Sequence, residues 1–245
     1  MLVNERIEFI VDWIKGYSDK VKYNPVSLII GVSGGVDSAV ASTLSAKTKL
    51  KTIAVSMPIR QNSEQHNLSL QHLEWLKSKY NNVETKIIEL DYVFNSFEKE
   101  MREYENKLAF ANSRSRLRMT TLYQIAQSSN GIVVGTGNKV EDFGVGFYTK
   151  YGDGGVDISP IADCNKTEVW ELGKELGILK EIINAPPTDG LWDDGRTDEG
   201  QLGLKYNELE EAMENPNSPN RAKYEIIRKQ NMHKMEPIPV CIIPN

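Results

Sequence analysis

Short apolar runs alternate with amphipathic segments through the first half of the chain. The runs have the composition of strands buried on a sheet, and the segments between them carry apolar side chains at helical spacing. The predicted strands are residues 26–32, 52–57, 83–90 and 131–135, and the predicted helices between them are residues 37–47 and 63–80. This alternation predicts an α/β fold with a doubly wound, mostly parallel sheet and helices on both faces.

Helix signals flank this region on both sides. The first 17 residues have the pattern of an amphipathic helix, and residues 91–128 form a polar, helix-prone stretch. Asn165 with Glu168 three positions later predicts a capping box that opens a helix to about Leu176. Gly177 stands where a C-terminal glycine belongs. The C-terminal part is therefore predicted to be mainly helical.

One stretch breaks the periodic pattern. Residues 184–203 are rich in Pro, Gly and Asp and show no helix or strand period. An aperiodic segment of this length is usually a functional lid or a disordered segment. Leu191 and Trp192 lie inside it, where a purely solvated linker would not place them. We therefore predict a lid from about Pro186 to Gly203 that is mobile without ligand and closes over it.

Composition narrows the class of protein. The 245 residues are 40% hydrophobic and 26% charged, which suits one globular domain spanning the whole chain. The net charge of −5 disfavours a nucleic-acid partner. No signal peptide and no apolar run of about 20 residues is visible, so we expect no membrane association and a cytoplasmic location. The two cysteines, Cys164 and Cys241, form neither a disulfide framework nor a zinc motif.

The strongest chemical signal is the string SGGVDS at residues 33–38, directly between a predicted strand and a predicted helix. At average residue frequencies such a string occurs by chance in roughly one chain in a few thousand. Glycines let the backbone approach a polyphosphate, and amide N–H groups at a helix N-terminus point at an anion. The acid in this loop, Asp37, is compatible with phosphate if Mg²⁺ lies between them. Neither the Walker A lysine nor the Rossmann GxGxxG pattern is present here.

The loop resembles the signature of the ATP pyrophosphatases, which hold the pyrophosphate released when ATP is cut at the α-phosphate. The resemblance implies an adenine nucleotide alpha hydrolase-like fold. Within that superfamily, four further segments resemble the NAD synthetases. These segments are RSRLRM at 114–119, GTGNKVE at 135–141, FYTKYGDGGVD at 147–157 and PTDGLW at 187–192. The pairs Lys166-Thr167 and His233-Lys234 extend the match, so that it spans nearly the whole chain.

The resemblance implies a role for individual residues. The residues expected to contact ATP are Gly31, Val32, Ser33, Gly34, Gly35, Val36, Asp37, Ser38, Thr136, Lys166 and Thr188. The residues expected to contact deamido-NAD are Arg116, Lys150, Asp157, His233 and Lys234. Asp37 and Glu141 are the expected magnesium ligands. No residue is expected to act as a nucleophile or general base, because Lys166 and Asp37 would act by positioning and charge stabilisation.

The activity implied is that of a ligase that forms a carbon–nitrogen bond. It would activate deamido-NAD with ATP through an acyl-adenylate and replace AMP with ammonia. Because the motifs fill residues 31–234, no glutaminase domain is expected, and free ammonia is the expected nitrogen source. The resemblance also implies a homodimer. Two alternatives remain at this point: a tRNA-modifying ATP pyrophosphatase, which the acidic charge disfavours, and an inactive nucleotide sensor, which the retained Asp37, Glu141, Lys150 and Lys166 disfavour.

Overall fold

The computed structural model describes residues 1–21, 26–188, 190–192 and 196–244. Among these residues, four parallel strands form one sheet in the spatial order β3-β2-β1-β4. The strands are β1 (Ser27–Gly31), β2 (Thr52–Ser56), β3 (Val83–Ile87) and β4 (Gly131–Val134). Each strand lies within one of the predicted strand segments of the sequence, so the predicted parallel sheet is confirmed.

Ten α-helices are found in the described residues. They are α1 (Val3–Ser18), α2 (Val36–Lys47), α3 (Ser63–Lys79), α4 (Asp91–Glu100), α5 (Lys107–Ser128), α6 (Lys166–Glu175), α7 (Lys180–Asn184), α8 (Asp198–Leu202), α9 (Tyr206–Glu214) and α10 (Arg221–Met235). A 3₁₀ turn occupies Arg102–Tyr104, and a π-helical turn occupies Lys139–Val145. None of these helices is both long enough and apolar enough to cross a lipid bilayer.

The two faces of the sheet pack against different helices because successive strand residues point to opposite sides. On one side, Leu28 and Ile30 of β1 join a core formed with α1, α2, α3 and α6. On the other side, Ile29 of β1 joins Phe94 of α4 and Ala126 of α5. Helices therefore cover both faces, which confirms the doubly wound α/β class.

Local signals explain where several helices begin and end. The Asn165 main-chain N–H donates to the Glu168 carboxylate at 2.8 Å, which is the predicted capping box of α6. Gly177, just after that helix, has φ of +70°, a left-handed conformation that costs glycine little. The helix-prone stretch at 91–128 is divided into two helices, and the Asn106 side chain accepts from the Ala109 N–H where the second begins.

The aperiodic stretch contains one short helix that its composition did not predict. Thr197 precedes α8, and its hydroxyl accepts a hydrogen bond from the Gly200 N–H at 3.2 Å. This cap satisfies an otherwise unpaired donor at the helix start, which explains why Asp198–Leu202 is helical. Residues 189 and 193–195 of the predicted lid lie outside the described residues.

A third core lies beyond the sheet. The π-helical turn packs with α9 and α10 around Val140, Val145, Leu209 and the buried Tyr206. This core attaches the C-terminal helices to the segment that follows β4. Because chain order along the sheet reverses between β1 and β4, the carboxyl ends of these two strands border the crevice where such sheets bind ligands.

Candidate functional site

The loop after β1 is held in shape by its own serines. The Ser38 hydroxyl accepts from the Ser33 N–H at 3.1 Å and donates to the Gly35 carbonyl at 2.9 Å. Gly34 has φ of +94°, and a Cβ at this position would lie 2.5 Å from the Gln65 carbonyl oxygen. Only glycine fits there. The result is a compact turn that ends at Gly35, where α2 begins, and it presents helix-start amides to the cleft.

The segment after β4 comes back to this loop through Asn138, which is fully buried. Its Oδ1 accepts from the N–H groups of Val140 and Glu141, each at 3.1 Å, and so caps the π-helical turn. Its Nδ2 donates to Oδ1 of Asp37 at 3.0 Å. Asn138 therefore fixes the acid of one loop relative to the acid of the other. The motif comparison gave this asparagine no role, although an Asn three positions before a Glu is a recognisable capping pattern.

Lys166, the first residue of α6, joins both acids. Its Nζ lies 2.5 Å from Oδ2 of Asp37 and 2.9 Å from Oε1 of Glu141, and its side chain is 2% exposed. We expected Lys166 to contact ATP phosphate, and in this structure its charge is shared between the two carboxylates. Removing one member of a buried ion pair is costly, whereas the pair itself adds little to stability. A cluster of this kind at a cleft is more informative about function than about folding.

The pKa values of these three groups follow from burial and mutual charge. Burial raises the pKa of Asp37 and outweighs the Lys166 ammonium, which lowers it. Burial also acts to raise the pKa of Glu141, but the charge of Lys166 and the hydrogen bonds from Tyr206 and Lys166 hold that pKa below its ordinary value. Burial alone would lower the pKa of Lys166, yet the two carboxylates raise it, so this side chain remains charged.

Tyr206 is a further member of this cluster that the sequence comparison did not identify. Its hydroxyl donates to Oε1 of Glu141 at 2.5 Å, and its ring lies 4.9 Å from the Lys166 Nζ. Burial, followed by the charges of Glu141 and Asp198, raises the pKa of the phenol far above its ordinary value, so the hydroxyl remains a donor. The sequence marks Tyr206 only as a large side chain at the start of an amphipathic helix.

The other end of the cleft, formed where α10 meets residues 147–155, carries the lysines Lys150 and Lys234 together with the acids Asp142 and Asp153, and we call it the basic end after its lysines. The Lys150 Nζ donates to the His233 carbonyl at 2.9 Å, and the Lys234 Nζ donates to the Tyr148 carbonyl at 2.8 Å. The Tyr148 hydroxyl donates in return to the Lys234 carbonyl at 2.6 Å. These reciprocal bonds hold two cationic side chains from distant parts of the sequence at one end of the cleft.

Side chains of helix α5 form hydrogen bonds with the glycine-rich loop at residues 147–157. The Ser115 hydroxyl donates to the Asp153 carboxylate at 2.7 Å, and the Thr149 hydroxyl donates to Oδ1 of Asn112 at 2.7 Å. Arg116, one position along the helix, donates from Nε to the Lys150 carbonyl at 3.3 Å. The RSRLRM segment is therefore both a wall of the cleft and a support for the glycine-rich loop.

Described residues of the predicted lid segment lie against the same cleft. Its described residues Thr188, Gly190, Leu191 and Trp192 contribute to the lining. The Arg114 guanidinium donates to the Leu191 carbonyl. This contact joins that segment to α5.

The predicted site residues converge on one cavity of about 650 Å³, a size typical of a small-molecule site. Nearly all of the predicted ATP, deamido-NAD and metal residues line it. The exception is Asp157, whose carboxylate accepts from the Val133 N–H at 2.7 Å and from the Tyr123 hydroxyl at 3.1 Å. In this structure Asp157 therefore connects the glycine-rich loop at residues 147–157 to strand β4.

The expected magnesium ligands occupy two sides of one lysine. Asp37 and Glu141 both form ion pairs with the Lys166 ammonium. Within the same residues, no group of three or more His, Cys, Asp or Glu side chains converges as a metal site. A bound cation would need further oxygen ligands from elsewhere, such as a phosphate.

Comparison with known proteins identifies relatives over nearly the full length. The family model described as NAD synthase matches residues 6–241. The NH(3)-dependent NAD(+) synthetase of Carboxydothermus hydrogenoformans is 38% identical over 214 residues, covering 85% of this chain and 84% of that protein. The protein of the same name from Mesoplasma florum is 36% identical over 239 residues, covering 96% of this chain and 93% of that protein.

Solved structures agree with this relationship. The structure of NMN synthetase from Francisella tularensis has a TM-score of 0.87 and 32% identity, covering 100% of this chain and 99% of that one. The NH3-dependent NAD synthetase from Campylobacter jejuni, solved with a nitrate ion, has a TM-score of 0.80 and 24% identity, covering 99% of this chain and 100% of that one. The second comparison supports the fold alone.

Proposed function

Because the chain belongs to the NAD synthase family, we propose that it catalyses the ATP-dependent amidation of deamido-NAD with ammonia. The observation that carries this proposal is the single cleft that joins the loop after β1 to the basic end formed by Arg116, Lys150 and Lys234. Both substrates carry phosphates. Loop amides at one end and cationic side chains at the other can hold two such molecules side by side.

The reaction requires activation because hydroxide is a poor leaving group from a carboxylate. A nicotinate carboxylate oxygen attacks the α-phosphorus of ATP, the bond to the bridging oxygen breaks, and pyrophosphate leaves. Ammonia then attacks the acyl carbon, AMP leaves with the bonding electrons of the acyl–oxygen bond, and a proton is lost from nitrogen. The products are NAD, AMP and pyrophosphate.

The protein contributes positioning and charge in this scheme. The amides and hydroxyls at residues 33–38 bind the phosphates of ATP, with Thr136 and Thr188 as further contacts. Lys166 stabilises negative charge near the leaving pyrophosphate while it remains paired with Asp37. Holding the two reactants in one cleft supplies much of the rate acceleration, because it makes a bimolecular reaction effectively unimolecular.

The acids around Lys166 suit a magnesium ion chemically. The carboxylates of Asp37 and Glu141 contact one nitrogen, so their oxygens are no further apart than the sum of those two contact distances. Carboxylate and phosphate oxygens are the ligands that Mg²⁺ prefers. When bound, the ion would neutralise charge that develops on the phosphates. Asp37 and Glu141 are the residues that would hold it.

The acid substrate is proposed to bind at the basic end. Arg116, Lys150, His233 and Lys234 line that end and can pair with its phosphates. Asp157 is retained as a proposed contact, although its carboxylate is bonded to Val133 and Tyr123 here.

We propose a cytoplasmic homodimer. Support for the dimer comes from exposed large side chains: Tyr92, Tyr104 and Leu108 are 83%, 72% and 58% exposed, and of these three Leu108 lines the cavity. Exposed apolar surface of this kind often marks an interface. Analytical ultracentrifugation of the purified chain tests the dimer, and a single monomeric species at micromolar concentration would contradict it.

The activity is tested by incubating the purified chain with ATP, Mg²⁺, ammonium chloride and deamido-NAD. We expect NAD, AMP and pyrophosphate in equal amounts, and no NAD when ammonium or ATP is omitted. AMP formation without NAD would still support an ATP pyrophosphatase activity but would rule out deamido-NAD as the acceptor. Absence of both products would remove the proposed activity.

A second acceptor is favoured by one comparison. The Francisella tularensis protein is named an NMN synthetase, and it matches this chain over its whole length at 32% identity. The acid that corresponds to NMN is nicotinate mononucleotide, which shares the reacting nicotinate carboxylate with deamido-NAD. Measuring kcat/KM for both acids under identical conditions separates the two proposals. A higher value for the mononucleotide would make NMN, not NAD, the principal product.

A further inference from the structure

Tyr206 lies behind the charged cluster without reaching the cleft. It is the first residue of α9, is 1% exposed, and does not line the cavity. Its ring packs edge-on against Trp170 at 5.9 Å between centroids, and the Lys166 Nζ lies 4.9 Å from the ring centroid. Tyr206 can therefore influence a bound ligand only through its neighbours.

Two donors converge on one oxygen of Glu141. The Tyr206 hydroxyl donates to Oε1 at 2.5 Å, and the Lys166 ammonium donates to the same atom at 2.9 Å. A glutamate side chain has several rotatable bonds, so one donor alone leaves its carboxylate able to pivot. A second hydrogen bond, donated by the buried and tightly packed Tyr206, restricts this rotation of the carboxylate.

Tyr206 also contacts the segment that ends the lid. The Asp198 carboxylate lies 3.3 Å from the Tyr206 hydroxyl, and the Tyr206 N–H donates to the Glu199 carboxylate at 3.0 Å. Asp198 and Glu199 open α8, which lies near the C-terminal end of the predicted lid stretch, and Asp198 lines the cavity. The tyrosine thus connects the end of the lid to Glu141.

We infer that Tyr206 is a positioning residue that fixes the Glu141 carboxylate for binding of magnesium–ATP and connects it to the end of the lid. The inference rests on the proposed function for its ligand. It adds a residue for which the motif comparison supplied no role. Its chemistry is the donation of one hydrogen bond from the tyrosine hydroxyl to the Glu141 carboxylate.

Tyr206→Phe tests the inference because it removes only the hydroxyl. The ring keeps its packing against Trp170 and its place beside Lys166. We expect the dissociation constant of magnesium–ATP, measured by calorimetry without the acid substrate, to rise roughly ten- to hundredfold, the range for losing a hydrogen bond to a charged group. We also expect kcat to fall while KM for ammonium is unchanged.

Tyr224→Phe is the matched control. Tyr224 is 4% exposed and belongs to the same C-terminal core, but its hydroxyl donates to the Gly144 carbonyl at 3.2 Å. The Tyr224→Phe variant therefore loses a buried tyrosine hydroxyl without changing a hydrogen bond to the Glu141 side chain. Magnesium–ATP affinity in this variant should stay close to that of the original chain. Equal losses in the two variants would overturn the inference, because they would indicate a general effect on the core.

A double-mutant cycle with Glu141→Gln separates positioning from packing. If Tyr206 acts through Glu141, adding Tyr206→Phe to Glu141→Gln should cause little further loss of magnesium–ATP affinity. Additive losses would overturn the inference, and so would failure of Tyr206→Phe to fold. This binding measurement does not depend on which acid is amidated. A chain that binds magnesium–ATP but makes no NAD would count against the proposed function alone.

Discussion

Asn138 and Asp37 are 101 positions apart in the sequence, and a hydrogen bond of 3.0 Å joins Nδ2 of the asparagine to Oδ1 of the aspartate. The same asparagine caps the π-helical turn that carries Glu141. One buried amide therefore sets the spacing of the two loops that follow β1 and β4. Asp37 is held on its other oxygen by Lys166 at 2.5 Å, so its carboxylate has little freedom to turn.

Replacing Asp37 by asparagine should abolish most pyrophosphate release while leaving the fold intact. The substitution keeps the shape of the side chain and leaves Lys166 paired with Glu141 at 2.9 Å, so no buried charge loses its only partner. It removes the negative charge proposed to hold magnesium beside the phosphates. We expect kcat to fall by about 100-fold or more, measured as pyrophosphate released at saturating Mg²⁺.

The control for this substitution is Asp163→Asn. Asp163 is an exposed acid whose carboxylate pairs with the Lys139 ammonium at 3.1 Å. Its loss changes the net charge by the same amount away from the cleft. Turnover near the original value in a folded Asp37→Asn variant would remove Asp37 from the proposed magnesium site.

Much of the fold could be predicted because its signals are local. Strands β1, β2 and β4 are short apolar runs, and a strand buried on both faces needs no partner to be recognised. The α6 capping box and Gly177 mark both ends of one helix within the sequence itself. The NAD synthase family was also recognised from local strings, and the family match confirms it.

The contacts within the site could not be predicted, because they depend on how distant segments pack. Lys166 and Asp37 are 129 positions apart, and Tyr206 and Glu141 are 65 apart. No periodicity in the sequence specifies such pairs. The position of Asp157 illustrates the same limit, since its carboxylate bonds to the Val133 N–H at the end of β4. A motif assigns residue types to a site, and only the packing decides which group each side chain contacts.

Stability should fall in mild acid because of His72. This side chain is fully buried, its Nε2 lies 3.0 Å from the Ser42 hydroxyl, and its Nδ1 has no hydrogen-bond partner among the residues that the structure describes. Burial lowers the pKa of His72 from 6.5 to about 4, so the folded state favours the neutral ring. The unfolded chain binds the proton more readily, and the stabilisation present above pH 6.5 is lost as the pH falls towards 4. The loss should approach about 3 kcal/mol.

Urea unfolding between pH 4 and pH 7 measures this contribution. His72→Gln removes the titrating ring and can still bond to Ser42, so its free energy of unfolding should vary less with pH than that of the original chain. The difference between the two curves isolates the histidine from acids that titrate in the same range. Parallel curves would show that burial of His72 does not disfavour its charged form.

Glutamine should not replace ammonium as the nitrogen source for the purified chain. Release of ammonia from glutamine by a cysteine nucleophile would need a reactive thiolate, and Cys164 is 5% exposed with its pKa raised to about 11 by burial. Cys241 lies on an exposed C-terminal segment and does not line the cleft. NAD formation from glutamine, measured after enzymatic removal of free ammonia, should be undetectable. Cys241→Ser should keep the full ammonium-dependent rate, and NAD made from glutamine alone would refute the prediction.

The lid should be cut more slowly by trypsin when the site is filled. In the described part of this stretch, the Arg196 guanidinium carbon lies 4.1 Å from the Trp192 ring centroid, and Arg114 bonds to the Leu191 carbonyl. Such a polar, glycine-rich segment buries little apolar surface of its own, so ligand contacts at Thr188 would decide how often it opens. Closure would also keep water away from the acyl-adenylate, which hydrolysis would otherwise consume. We expect rapid cleavage after Arg196 in the ligand-free chain and much slower cleavage with ATP, Mg²⁺ and deamido-NAD.

Two controls accompany this measurement. The Arg196→Gln variant should lack the fragment produced by cleavage after Arg196, which identifies that fragment. Cleavage after the exposed Arg102 reports any general effect of the ligands on the protease. Equal rates at Arg196 in both states would mean that this stretch is a surface loop and does not close over the substrates.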